Sequence, residues 1–219
     1  MKAIMPLIQR DWFEQIMILD GGSTDGTIEW SRENGYEVYV QKERGLRQGY
    51  NEVWPLLRGD VVITFSPDGN SVAELLPALI AKMKEGYDMV IVSRYLDDAK
   101  SDDDNWITGF GNWFFTKTVN VLHGGHYTDC MVMYRAYKRD LIATLDLDKE
   151  VSYATPEKLF NTRISWEPLL SARCAKRKLK VTEIPGDEPP RIGGKAKLQV
   201  WRWGAAYYFQ FIREVFWWR

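Results

Sequence analysis

Two short apolar runs, each followed at once by a turn dense in glycine and aspartate, constrain this chain more than anything else in it. The first is Ile18-Leu19-Asp20-Gly21-Gly22-Ser23-Thr24-Asp25-Gly26-Thr27 and the second Phe65-Ser66-Pro67-Asp68-Gly69-Asn70. A short apolar run bounded by turn residues reads as a buried strand. The turn then sets a carboxylate at the strand's carboxyl end. Open α/β sheets bind their ligands at that edge. Asp20 and Asp68 are therefore expected where a nucleotide and a metal would sit.

The surrounding pattern extends this. Strands are expected over 15–19, 37–40, 61–65 and 89–93, alternating with helices over 27–34, 46–57 and 72–84. Such alternation implies crossover units and an α/β fold with a mainly parallel sheet flanked by helices. Pro55 should disturb the second helix and Pro77 kink the third. Beyond Tyr95 the pattern changes. A polar, acidic and mobile loop over 95–106 precedes a helix over 107–122, which Gly124-Gly125 breaks. An antiparallel or edge strand is expected over 130–137, a helix over 168–178, a last strand over 180–184 and a terminal helix over 200–218. One domain, 1–198, with a C-terminal appendage, 199–219, is the expected organisation.

Composition excludes several classes. A formal net charge of −1 offers no basic field for nucleic acid. Two cysteines, Cys130 and Cys174, make no disulfide framework and suit a reducing compartment. No apolar run approaches the roughly 20 residues needed to span a bilayer. Pro6 interrupts any signal peptide. The glycines lack the Gly-x-Gly-x-x-Gly spacing of a dinucleotide site, which argues against a dehydrogenase. His123 and His126 lack zinc-site spacing and read as structural. Asp102-Asp103-Asp104 reads as a solvated acidic loop. Nine aromatics with Arg202, Arg213 and Arg219 fill residues 201–219. That mixture fits a helix lying at a membrane–water interface, with core packing or a dimer face as the alternative.

Taken in order, the motifs resemble the family 2 glycosyltransferases of GT-A (Rossmann-like) fold, nearest the dolichol-phosphate mannosyltransferase-like polyprenyl-phosphate enzymes. The resemblance rests on Asp20–Thr27, Arg44-Gly45, Ser66–Asn70, Val92-Ser93-Arg94-Tyr95, Thr128-Asp129, Tyr134–Tyr137, Trp166-Glu167-Pro168 and Pro190–Lys195, and covers roughly residues 6–198. It implies an inverting transfer of sugar from a GDP- or UDP-sugar to a polyprenyl phosphate, at the cytoplasmic membrane face, with Mg²⁺ or Mn²⁺. The sequence departs from the family twice. The family's opening strand, ending in a Pro…Asn-Glu turn, has no counterpart, so the chain reads as truncated, with residues 1–13 as the end of the helix that follows that strand. The family's Asp-x-Asp is Ser66-Pro67-Asp68 here.

The resemblance assigns nucleotide contacts to Asp20, Gly22, Arg44 and Gly45. Asp68, with Asn70 as a second oxygen donor, is the metal candidate, since one carboxylate plus substrate phosphates can hold Mg²⁺. The plainer alternative is an ordinary Asp-Gly turn. Arg94, Arg135, Arg191 and Lys195 would bind a phosphate acceptor through guanidinium and ammonium groups; surface ion pairing is the alternative for Arg191. Asp129 is the candidate catalytic carboxylate, with Arg135 beside it, and Glu167 a further site residue. A hydroxyl acceptor would need Asp129 as general base, whereas a phosphate is already ionised. A saccharide acceptor, an inactive nucleotide-sugar-binding or membrane-associated module, and a homo-oligomer remain open.

Overall fold

The computed structural model describes residues 1–192 and 200–218. Its strands are β1 (Met17–Asp20), β2 (Glu37–Val40), β3 (Val61–Thr64), β4 (Met89–Ser93), β5 (Arg135–Lys138) and β6 (Val181–Pro185). Its helices are α1 (Thr27–Glu33), α2 (Leu46–Val53), α3 (Leu76–Lys84), α4 (Trp106–His123), α5 (Leu141–Thr144), α6 (Ala154–Phe160), α7 (Glu167–Lys176) and α8 (Val200–Phe216). The α/β class follows, with mixed sheets. β1 and β2 pair in parallel, while a separate sheet runs β3-β5-β4-β6.

Within the larger sheet β5 lies antiparallel between β3 and β4, and β4 pairs in parallel with β6. β3, β4 and β6 therefore run the same way. The sequence placed the fifth strand as antiparallel or at an edge; it is antiparallel and interior. Its buried Ala136 and Tyr137 reach core on both faces, an environment that an edge strand lacks. Only 135–138 pair, because residues 129–132 instead form a turn whose amides bond to Asp129.

Local chemistry explains most boundaries. Pro55 falls in a 3₁₀ turn (Trp54–Leu56) that ends α2 early. Pro77 sits in the first turn of α3, where a missing N–H costs nothing, so it starts the helix rather than kinking it. Asn105 caps α4 through a reciprocal box with Thr108, and Gly124 closes it at φ 74°, a left-handed conformation that suits glycine. Residues 1–13, expected as a helix end, form two 3₁₀ turns, Met5–Leu7 and Arg10–Trp12. α5 and α6 fall where no element was expected; α5 has only four residues, too few to show helical periodicity.

The core has two parts. One gathers Tyr50, Tyr137, Tyr153, Trp166 and Phe211, with Tyr50 stacked on Trp166 at 4.8 Å between centroids. The other gathers Ile18, Leu76, Leu79, Val90 and Ala136. α8, expected as an appendage, inserts one face into the first part, with Ala206, Gln210, Phe211 and Glu214 fully buried. Arg173 of α7 meets Glu214 at 2.9 and 3.1 Å, and both side chains are sealed from solvent. Both cysteines are free and buried, and burial pushes the Cys130 thiol up to about 12.

Candidate functional site

The edge where β3, β4 and β6 end collects charged side chains. Asp68 and Asn70 follow β3, Arg94 follows β4 directly, and Glu188 follows β6. Because β5 runs the other way, the turn preceding it brings Asp129 to the same edge. The register Ser93↔Pro185 and Thr64↔Arg135 holds these ends level.

Arg94 is the hub. Its Nε and Nη2 donate to the two oxygens of Asp129 at 2.6 and 3.2 Å, and its Nη1 donates to Glu188 Oε2 at 3.0 Å. Asp104 stands 3.7 Å away and also accepts from the Tyr95 hydroxyl. Burial opposes the Arg94 charge, yet Asp129 and Glu188 outweigh it and hold the guanidinium pKa well above its ordinary value. Asp129 has no exposed surface. Beneath it, Glu183 accepts from the Thr128 and Asp129 amides at 2.7 and 3.0 Å. Burial raises the Glu183 pKa, against those hydrogen bonds.

Asp68 Oδ1 accepts from the Asn70 amide at 3.1 Å, and its Oδ2 lies 3.4 Å from Arg191 Nη1. The Ile192 amide donates to the Asp68 carbonyl at 2.9 Å, so residues 191–192 lie across this turn. Gly69 adopts φ 104° beneath them, and a Cβ there would meet Ile192 Cγ1 at 2.7 Å. Asn70 Nδ2 donates to Asp103 Oδ2 at 3.0 Å, while Asn70 Oδ1 is buried with no hydrogen-bond partner. Arg191 Nε reaches the same Asp103 oxygen at 3.2 Å.

Linked carboxylates thus outnumber guanidiniums: Asp68, Asp103, Asp104, Asp129 and Glu188 surround Arg94 and Arg191. An excess of negative charge with an orphaned amide oxygen suits a hard divalent cation. Among the described residues no three His, Cys, Asp or Glu side chains form a ready metal cage. The fit is therefore to an ion that takes Asp68 and Asn70 and completes its shell with water and substrate oxygens.

Asp20 closes β1 and folds its own turn, accepting from the Gly22 and Ser23 amides at 2.7 and 2.6 Å, with Gly22 at φ 92°. Gly45, at φ 119°, precedes α2, and Arg44 beside it is exposed. Two candidates lie elsewhere. Arg135 is fully buried and donates to the Val132, Glu167 and Cys130 carbonyls and to Ser171 Oγ, so it braces the interior and presents no cation at the edge. Glu167 starts α7 with only 2% exposure, both its carboxylate oxygens buried and unpartnered. Lys195 lies outside the described residues. The sequence missed Glu188, Glu183, Asp103 and Asp104. The acidic run at 102–104 was visible, but two of its three carboxylates pack on the site rather than into solvent.

This fold, with its acidic carboxyl edge, is that of the GT-A glycosyltransferases. Mannosyl-3-phosphoglycerate synthase from Rubrobacter xylanophilus matches with a TM-score of 0.62 at 16% identity, over 93% of this chain and 64% of that one. Glucosyl-3-phosphoglycerate synthase from Mycobacterium tuberculosis, solved with Mn²⁺ and UDP-glucose, matches with a TM-score of 0.59 at 16% identity, over 98% and 72%. Residues 10–146 match Glycosyl transferase family 2, and the chain belongs to that family. Among curated proteins it is 28% identical to glycosyltransferase AglJ of Haloferax volcanii, over 83% of this chain and 56% of that protein's length. It is 27% identical to the undecaprenyl-phosphate mannosyltransferase of Micrococcus luteus, over 90% and 85%. The chain thus spans little more than half of the first relative and most of the second.

Proposed function

We propose that this chain is an inverting, metal-dependent glycosyltransferase that moves a sugar from a nucleotide diphospho-sugar to a polyprenyl phosphate at a membrane surface. The observation that carries it is the acidic edge, where Asp68 and the unpartnered Asn70 Oδ1 stand beside the Arg94 network. Asp68 and Asn70 would hold Mg²⁺ or Mn²⁺, which would supply Lewis-acid stabilisation to a departing diphosphate. Asp20 and its turn, with Arg44 and Gly45, bind the nucleotide. Arg191 leaves Asp68 when the donor arrives and turns toward phosphate. Lys195 lies four residues further on and adds a second cation.

The acceptor phosphate oxygen attacks the anomeric carbon as the bond to the nucleoside diphosphate breaks, so the configuration inverts. The chain's residues mainly position the two substrates and balance charge. Asp129, sealed and bonded to Arg94, favours an acceptor that is already ionised over a hydroxyl needing an exposed base. The exposed face of α8, whose other face completes the core of the transferase domain, meets the membrane. α4 supports that face. Its exposed Trp106, Phe110 and Trp113 recur at i, i+4 and i+7, and Phe114 stacks on Tyr208 of α8 at 5.2 Å. Among the described residues no helix is long and apolar enough to cross a membrane.

The test is sugar transfer from GDP- and UDP-sugars to a polyprenyl phosphate with Mg²⁺ or Mn²⁺, alongside calorimetric donor titration. Transfer supports the reading; tight donor binding without transfer to any acceptor sinks it. Asp68→Ala is expected to abolish metal-dependent donor binding, and unchanged affinity removes the metal assignment.

A further inference from the structure

We propose that Asp103, in the acidic segment between β4 and α4, is a second carboxylate ligand of the divalent cation assigned to Asp68 and Asn70, an inference that rests on the metal reading above. By itself the turn over 66–70 is a poor cage. Asp68 is its only carboxylate, and Asn70 adds one neutral oxygen. Affinity for a hard cation follows the number and charge of its oxygen donors.

Asn70 points to the further donor. It is only 8% exposed, and its Oδ1 is buried with no hydrogen-bond partner. A dry acceptor of that kind is costly unless something positive binds it. The other end of the same amide, Nδ2, donates to Asp103 Oδ2 at 3.0 Å, across 33 residues of chain. Arg191 marks the same place. Its Nη1 lies 3.4 Å from Asp68 Oδ2, and its Nε donates to Asp103 Oδ2 at 3.2 Å. One cationic group is thus held between these two carboxylates, beside the orphaned oxygen.

Asp103 is delivered by a fixed backbone. The Glu188 amide donates to the Lys100 carbonyl at 2.8 Å, and the Asp102 amide donates to the Glu188 carbonyl at 2.9 Å. The Lys100 amide donates to Asp187 Oδ1 at 2.9 Å. On the far side of Asp103, the Asp104 amide donates to Ser101 Oγ at 3.2 Å, and Ser101 Oγ in turn donates to Glu188. Segment 100–104 is therefore tied to the chain after β6, level with the Asp68 turn.

The other carboxylates of the edge are committed elsewhere. Both oxygens of Asp129 hold Arg94. Glu188 Oε2 accepts from Arg94 and Ser101. Asp104 accepts from the Tyr95 hydroxyl beside Arg94. Asp103 bonds instead to Asn70 and Arg191, the two residues that meet the Asp68 turn. Asp102, next to it in sequence, is exposed and provides a control of equal charge.

The full chain is titrated with Mn²⁺ by calorimetry, alone and beside UDP or GDP, with each variant first shown to be folded by circular dichroism. Asp103→Asn is expected to weaken Mn²⁺ binding at least about tenfold. Asp102→Asn should change it less than about twofold, since an exposed charge acts only through screened solvent. Asp103→Cys reads ligation directly. A thiolate favours a soft ion, so Mn²⁺ binding should fall while Cd²⁺ binds with a thiolate-to-metal charge-transfer absorption. The parent chain, whose two cysteines are buried, is the blank. Unchanged Mn²⁺ affinity in Asp103→Asn, an equal loss in Asp102→Asn, or no such absorption in Asp103→Cys overturns the proposal. Asp68→Ala separates the two readings. If it abolishes Mn²⁺ binding while Asp103→Asn does not weaken it, only the Asp103 assignment falls. If neither variant affects binding, or the parent chain binds no Mn²⁺ in either condition, the metal reading falls with it.

Discussion

Asp129 shows how far a residue's role depends on what surrounds it. In the sequence it is a carboxylate after a threonine, a candidate base. In the folded chain it is sealed, and both oxygens hold Arg94. Removing one partner of such a pair leaves an uncompensated charge. Asp129→Asn is therefore expected to cost about 3 kcal/mol of stability in urea unfolding, besides lowering transfer. A loss under about 1 kcal/mol would mean the pair is not held as seen. Asp20 was legible because its partners, Gly22 and Ser23, lie within its own turn. Glu188 was not, because it meets Arg94 across 94 residues of chain and no local pattern marks it. Arg135 misled for a related reason: an arginine in an apolar strand suggests a ligand, whereas here backbone carbonyls satisfy it.

Among the elements, α8 carries the clearest consequences. Its clamp, Arg173–Glu214, is fully buried. Glu214→Ala should destabilise the chain by about 3–5 kcal/mol, while replacing the pair together by Met and Leu should restore most of that in thermal or urea unfolding. A double variant no better than the single one would mean the ions specify the docking. His123, at the end of α4, bonds through Nε2 to the Phe211 carbonyl of α8 at 3.0 Å. Burial lowers its pKa below the ordinary 6.5, assisted by Lys176 and opposed by that hydrogen bond. A depressed pKa means the unfolded chain binds the proton more readily. The stabilisation is thus complete above about pH 6.5 and is lost as pH falls through the lower folded value. Between those values unfolding should become easier with acid, and His123→Gln should flatten that part of the stability–pH curve. An unchanged slope in the variant would assign the effect to other groups. The terminal helix itself was readable from its aromatic run. That one face is core and the other exposed depended on α4, α6 and α7, which the sequence does not place.

At the scale of the molecule, charge and apolar surface are segregated. The acidic edge lies at the strand ends, while Trp106, Phe110, Trp113, Trp201 and Phe216 remain exposed on α4 and α8. Asp104 on the edge and Asn105 capping α4 are adjacent residues, so the aromatic face begins where the site ends. Binding to anionic lipid vesicles is expected, and Trp106→Ser with Trp113→Ser should weaken it at least about tenfold, since burying each large ring contributes about 1.5–3 kcal/mol. The Tm should not change, because both rings are exposed. Unweakened binding would move the membrane contact elsewhere. The sequence by itself determined the α/β class, the order and most limits of the strands, and the two Asp-Gly turns. All of these follow from short-range rules of periodicity, capping and turn chemistry. Only the tertiary structure decided that the sheet is split, that β5 lies inside it, and that Arg94 rather than Arg135 stands at the edge. Those outcomes are set by pairing and burial between residues far apart in the chain, where a local pattern carries no signal.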